Sequence, residues 1–335
     1  MKLKFTLIVS ILIMVGSLPG QSKVGTTAAS FLGIPVGAKS IAMGGAFTSM
    51  ADDPSSLYWN PGIINKRSIN FYASQTQWLV GSTHQYIAAQ IMVSPQDALG
   101  LSITSLNYGE KEKIRTVAQP EGTGEYWEAS DFALSLSYAR KITDRFSIGG
   151  SGKYIQSKIW HVQASQFAID LGLVFQTQFR GLKIGSTLRN FGGEMLLSGQ
   201  DLIERIDLDP ESEGNNENIV AYLKTDPWPL PLVFTIGASM PVISTESFNI
   251  ILALDAVRPT DNTETLNIGT EIEIMNIFML RAGYQSLFRK VNESGYSIGF
   301  GLHSPIQGMV IDLDYAYQEF GLFTNIHTWS LQFNL

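Results

Sequence analysis

The sequence predicts an all-β protein: a 14-stranded antiparallel transmembrane β-barrel with an N-terminal hatch segment in the lumen. Three observations lead there. From Arg67 onward, apolar residues recur at every second position, as in Phe132, Leu134, Leu136 and Tyr138, or Trp329, Leu331, Phe333 and Leu335. That is the period of a strand, not of a helix. Counting such runs gives fourteen strands, an even number as outer-membrane barrels require. The connections alternate as well. Those that parity places on the periplasmic side (94–97, 143–144, around Arg180, 241–245, 275–276 and 304–307) are short, whereas the two long ones, 108–129 and 193–230, fall outside.

Residues 1–22 have the pattern of a secretory signal. Lys2 and Lys4 form the positive end, Phe5 to Val15 the apolar stretch, and Gly16, Ser17, Pro19 and Gly20 the region before cleavage. Eleven residues are too few for a membrane anchor, which needs about 20. No later stretch is apolar for long enough to be a transmembrane helix.

Residues 23–66 form the expected hatch, and within them Gly37 to Pro61, GAKSIAMGGAFTSMADDPSSLYWNP, is rich in glycine and turn formers. Ala38 to Met43 suits a short helix that Gly44-Gly45 stops. Asp53-Pro54 and Asn60-Pro61 impose turn or extended geometry. Such a segment buries little by itself and needs a container. Inside a barrel its backbone donors require partners, and Asp52, Asp53 and Asn60 are suited to supply them. Phe31, Leu32, Ile34 and Phe47 either line an apolar pocket or pack the segment.

Residues 67–335 are the barrel, with strands at 67–76, 84–93, 98–107, 130–142, 144–159, 165–178, 181–192, 231–240, 246–258, 263–275, 276–286, 294–304, 308–319 and 326–335. A soluble sandwich also alternates. It gives no reason, however, for Lys153, Asp170, Lys183, Arg189, Asp255, Glu271, Glu273, Arg281, Asp312 and Asp314 to share the non-apolar parity of their strands. A polar lumen does. Trp78, Tyr108, Trp127, Trp160, Trp228, Phe320 and Phe323 fall at strand ends, where interfacial aromatic girdles belong.

Composition narrows the function classes. With 16% charged residues, 11% aromatics, 31 glycines and no cysteine in 335 residues, the chain suits a β-rich envelope protein. It has no disulfide framework or thiolate metal site. A net charge of −7 argues against nucleic acid as a partner. No catalytic constellation or cofactor motif is present, so the expectation is a protein that is not an enzyme and holds neither cofactor nor metal. His84, His161, His303 and His327 are scattered. SIGGSGKY at 147–154 lacks both the first glycine of a phosphate loop and the Ser/Thr after Lys153. Asp209, Glu211, Glu213 and Gly214 have calcium-loop spacing, but Val220 stands where a bidentate Glu is needed. A solvated outer loop is the default there. Its acidic surplus either faces a basic partner or keeps the loop hydrated.

The run ADDPSSLYWNPG at 51–62, preceded by MGGAF at 43–47, resembles a signature of the FadL-like barrel superfamily. The longer pattern from Lys23 to Gly62 is similar to the PorV/PorQ family within it. The resemblance implies a hatch inside a 14-stranded barrel, with Gly44, Gly45, Asp52, Asp53, Tyr58, Trp59, Asn60 and Pro61 as structural or gating residues. It also implies a non-enzymatic role in type IX secretion. The partners would then be outer-membrane lipid and a translocon barrel, cargo proteins or a surface attachment complex. Loop aromatics Tyr126, Trp127, Tyr222 and Trp228 would be their contacts. The alternative reading is a FadL-like channel for hydrophobic small molecules. A third, an outer-membrane enzyme, has no supporting signature.

Overall fold

The structure, a computed structural model, describes residues 23–64, 69–208, 211, 218–289, 294–306, 308–323 and 325–335. The signal-like stretch and most of the calcium-like run at 209–218 lie outside the described residues. Fourteen strands form a closed antiparallel cylinder. They are β1 Ile69–Gln77, β2 Thr83–Met92, β3 Asp97–Asn107, β4 Ala129–Thr143, β5 Phe146–Ile159, β6 Val162–Gln176, β7 Lys183–Gly192, β8 Val233–Ser244, β9 Phe248–Pro259, β10 Thr265–Ile274, β11 Phe278–Leu287, β12 Tyr296–Ile306, β13 Met309–Gln318 and β14 Ile326–Asn334. Each pairs with the next in sequence, and β1 pairs with β14 to close the ring, from Asn70 opposite Asn334 to Gln77 opposite His327. Closure leaves no sheet edge, so backbone groups in hydrocarbon are bonded along the ladders.

Alternation sorts the side chains as the sequence requires. Phe71, Ile87, Leu101, Leu136, Phe167, Leu171, Leu254 and Phe300 are exposed on the outer wall, while their chain neighbours point inward and are mostly small or polar. A closed barrel with this apolar exterior belongs in the cell outer membrane. Trp78 and Phe320 meet edge to face at 5.3 Å beside Phe323 at the end that carries the long connections, the outer end of such a barrel.

Two expected turns move. β8 continues through Pro241 to Ser244: Pro241 stays opposite Ile251, and a register shift that leaves Val242 unpaired sets Ile243 opposite Ile250. β12 likewise runs through Ser304 and Pro305 to Ile306, paired with Met309 to Ile311. The outer loops are not structureless either. Glu112–Lys113 pairs with Tyr126–Trp127, Glu194–Met195 with Trp228–Pro229, and Ile203–Ile206 with Ile219–Tyr222.

The bore is occupied. Residues 28 to 63 run along the inward faces of the strands from the outer end to the opposite one. The Ala28 N–H donates to Pro229 O, and Thr27 Oγ1 bonds Asp261 Oδ2 at the outer end. Ser147 Oγ donates to Gly62 O, and Gln90 Nε2 to Ile63 O, near the short turns. The expected short helix forms as α1, Ala38–Ala42, and a second turn of helix, α2, spans Ser56–Trp59. Gly44 and Gly45 break the chain after α1 with φ of 64° and 75°.

Close approach is possible because the facing wall has glycines. A β-carbon at Gly185 would lie 2.5 Å from Thr48 O, and one at Gly283 would overlap the backbone of Met43 and Gly44. Gly149, Gly172 and Gly269 meet Pro61, Asn60 and Met43 in the same way. Gly283→Val should therefore cost about 3 kcal/mol or more through overpacking. Gly152→Val, whose β-carbon meets nothing within 4 Å, should stay within about 0.5 kcal/mol. Urea unfolding in lipid vesicles, read with the heat-modified band shift on gels, checks both.

Candidate functional site

The site is the seam between the inner segment and the wall. Tyr58, Trp59 and Asn60 are its anchors, set by α2 and the extended Asn60 that ends it. The Tyr58 hydroxyl is shared by Leu32 O and Ile34 O, each at 3.0 Å, and Trp59 Nε1 donates to Val36 O at 2.9 Å. Asn60 Nδ2 donates to Thr48 O at 2.8 Å and to Leu173 O of β6 at 3.0 Å, while its Oδ1 accepts the Gly62 N–H. One side chain thus fastens two parts of the segment to each other and to the wall. Pro61 packs at Gly149 of β5. Phe31, Leu32, Ile34 and Phe47 are all buried in the packing and line neither of the cavities described below.

The paired acids part ways. Asp52 reaches out to Lys39 Nζ at 2.7 Å with its side chain 64% exposed. Asp53 is buried and its Oδ1 accepts the Ser55 N–H at 2.7 Å, an Asx turn that leads into α2. Burial, reinforced by the neighbouring Asp52 carboxylate, pushes the Asp53 carboxyl up to about 7.

Of the charged lumen residues of the sequence, Lys153, Asp170, Arg189, Asp255, Glu271, Arg281 and Asp314 are buried, while Lys183, Glu273 and Asp312 are half-buried. Arg281 donates to Glu271 at 2.6 Å and reaches across Gly301 of β12 to Asp314 at 2.5 Å. Lys39 of α1 lies 3.6 Å from Glu271, so the segment joins the same net. A second knot lies on β5–β7. Lys153 pairs with Asp170 at 2.5 Å and donates to Asn190 Oδ1, and the Asn190 N–H donates to Asp170 Oδ1. Asp255 Oδ2 accepts the N–H groups of Phe47 and Thr48 at 3.0 and 2.9 Å.

Asn190 is the residue that sequence alternation misses. A bulge opposite Asp170 sets both Arg189 and Asn190 inward, with Asn190 at φ 61°, a conformation asparagine tolerates. Its Nδ2 bonds Pro231 O at 2.9 Å, just beyond the point where the β7–β8 ladder ends at Arg189 and Val233. A cavity of about 660 Å³ sits there, lined by Thr27, Phe191, Gly192, Leu230 and Leu232 among others. A smaller one of about 220 Å³ lies within, beside Tyr58, Trp59, Arg189, Thr235 and Asp255.

The loop aromatics Tyr126, Trp127, Tyr222 and Trp228 are exposed by 40–73% on the three small outer ladders. His161 meets Asp201, His303 meets Asp312 and His327 meets Tyr315, while His84 is buried. Among the described residues no group of three His, Asp or Glu side chains suits a metal ion.

A closed 14-stranded barrel with an apolar wall and an occupied bore defines an outer-membrane β-barrel protein. Solved structures of outer-membrane barrels share this fold. The protein is similar to the CymD monoaromatic hydrocarbon channel, with a TM-score of 0.58, 11% identity, and 89% of this chain and 96% of that chain covered. It is also similar to the toluene transporter TodX of P. putida, at 0.55 and 12%, over 90% and 98% of the two chains. No protein-family model and no curated protein matches the sequence.

Two outcomes follow from these bonds. Asn60→Ala strands Thr48 O, Leu173 O and the Gly62 N–H and should cost about 3 kcal/mol in vesicle unfolding. Asp53 holds its proton to about pH 7 when folded, whereas an unfolded aspartate releases it near pH 4. Its contribution to stability is therefore full below about pH 4, falls as pH rises, and levels off above about 7. Asp53→Asn should remove that slope, at most about 1.4 kcal/mol per pH unit, from unfolding curves taken between pH 4 and 8.

Proposed function

We propose that this chain is an outer-membrane channel for small hydrophobic molecules, with residues 23–64 as its hatch. The observation that carries the reading is the 660 Å³ cavity where the β7–β8 ladder stops, lined by Phe191, Leu230 and Leu232 and adjoining the segment at Thr26 and Thr27. A hydrophobic solute arriving at the outer end meets Phe191, Leu230 and Leu232 there, beside the polar Lys23, Thr26, Thr27 and Asn190. The inner segment fills the bore beyond, so passage requires it to shift. Neighbours in fold that are described as a monoaromatic hydrocarbon channel and a toluene transporter support this reading over secretion.

The secretion reading of the PorV/PorQ resemblance stays second. What favours it is the set of exposed aromatics Tyr126, Trp127, Tyr222 and Trp228 on the outer loops, a surface suited to a translocon, cargo or attachment partner.

The test uses the chain's lack of cysteine. Ala38→Cys with Ser330→Cys places thiols where the Ala38 N–H now meets Ser330 Oγ at 3.1 Å and ties α1 to β14. Toluene entry into proteoliposomes should fall at least tenfold when the bridge is oxidised and recover on reduction. Flux that ignores the bridge would rule out a moving hatch. Vesicles no more permeable than protein-free ones, together with co-purification of a translocon barrel from outer membranes, would promote secretion.

A further inference from the structure

Positive charge gathers on one side of the barrel at the end opposite the long loops. Arg140, Lys141, Arg145, Arg180 and Lys183 all belong to the β4–β5 and β6–β7 connections or the strand ends beside them. The described residues of the other short turns include neither lysine nor arginine. Arg140 is drawn to Asp97 at 3.7 Å, and Arg180 lies over the Phe179 ring. Lys141, Arg145 and Lys183 are placed differently. All three line one cavity of about 220 Å³, between the segment at Ser49, Ala51 and Ile63 and the ends of β4 to β7. Unlike Lys153 and Arg281, they form no ion pair among the described residues, and neither does Asp144, the one acid of the lining. Arg145 donates to the amide oxygen of Gln178, which leaves part of its donor fork open. Lys183 is half-buried, near enough to the segment for its charge to act on Asp52, whose carboxylate is held by Lys39 at 2.7 Å. The rest of the lining is neutral.

The charge balance decides which occupant fits. Three cations against one carboxylate leave an excess of about two positive charges around one cavity. Like charges held together repel, and a bound anion relieves that repulsion. A carboxylate offsets about half of the excess. A phosphate group carries about −1.5 to −2 near neutral pH and matches it. It also has several acceptor oxygens, so that a guanidinium fork and ammonium groups need not compete for one. We propose that this cavity binds a phosphate group as its dianion, held by Lys141, Arg145 and Lys183. A lipid headgroup of the inner leaflet and a soluble phosphate ester share that chemistry. An occupant there touches the segment and the wall together, at the end remote from the larger cavity near Phe191. The site needs no passage through the barrel, so it goes beyond the channel reading and does not rest on it.

The experiment is calorimetric titration of the full barrel, in neutral phosphatidylcholine nanodiscs, with inorganic phosphate and with benzoate. Phosphate should bind about tenfold or more tightly than benzoate. Lys141→Gln combined with Lys183→Gln should weaken phosphate about tenfold or more, whereas Lys141→Arg with Lys183→Arg should retain it. Arg258→Gln, which removes an exposed cation paired with Glu264 at the other end, should change nothing. Neither lysine has an ion pair to lose among the described residues, so the variants should assemble, and the heat-modified band shift checks that they do. Native mass spectrometry of the barrel exposed to mixed phosphatidate and phosphatidylcholine separates the sources. Phosphatidate kept by the natural chain and lost from the double glutamine variant assigns the site to a headgroup. Phosphate binding without phosphatidate retention assigns it to a soluble ester. Equal affinity for phosphate and benzoate, binding indifferent to the glutamine pair, or binding of neither phosphate nor phosphatidate would overturn the proposal. The toluene flux assay judges the channel separately.

Discussion

Filling the bore is the constraint on which the rest of this molecule depends. A turn-rich segment with two short helices lies inside a cylinder, and its backbone groups must find partners there or bear the cost of burial without them. The solution is shared between the segment and the wall. Asp255 receives the Phe47 and Thr48 N–H groups, Asn60 ties Thr48 to Leu173, and Ser330 accepts from Ala38. Glycines at Gly172, Gly185, Gly269 and Gly283 let two backbones approach where a side chain would hold them apart. The wall is shaped to its contents.

Charge follows from the same constraint. With the bore full, the inward ionic residues cannot keep their water, and a buried charge is tolerable only with partners in good geometry. Arg281 meets this by spanning Glu271 and Asp314, and Lys39 couples the inner segment to that group. Lys153, Asp170 and Asn190 do the same on the other side of the barrel. Through Lys39 the first net ties the segment to the wall, whereas the second fastens β5, β6 and β7 to one another.

The functional reading shifts accordingly. The sequence resemblance put secretion first and a hydrophobic channel second, on the strength of a motif whose residues serve as internal fasteners in the structure. Tyr58, Trp59 and Asn60 bond to Leu32, Ile34, Val36, Thr48 and Leu173 and are turned away from any outside partner. Such a motif marks how a segment is held in a barrel, which barrels of different task can share. The proposed channel reading rests instead on the cavity where the β7–β8 ladder stops.

Strand number, order and facing were legible in the sequence, because a barrel wall separates lipid from lumen at every second residue and short turns fix each strand to its neighbour. So were the break at Gly44-Gly45 and the inward parity of Asp255, Glu271, Arg281 and Asp314, since these depend only on local conformation and position along a strand. Contacts across the cylinder were not legible. That Arg281 passes over Gly301, that Asp53 is buried while Asp52 is exposed, and that Asn60 reaches β6 each depend on residues far apart in the chain. The bulge opposite Asp170, which turns Asn190 inward and ends the β7–β8 ladder, breaks the very period from which facing is read. The sequence by itself determined the wall. Only the tertiary structure decided what fills it and where a space is left, because packing in a closed bore is a property of all the strands at once.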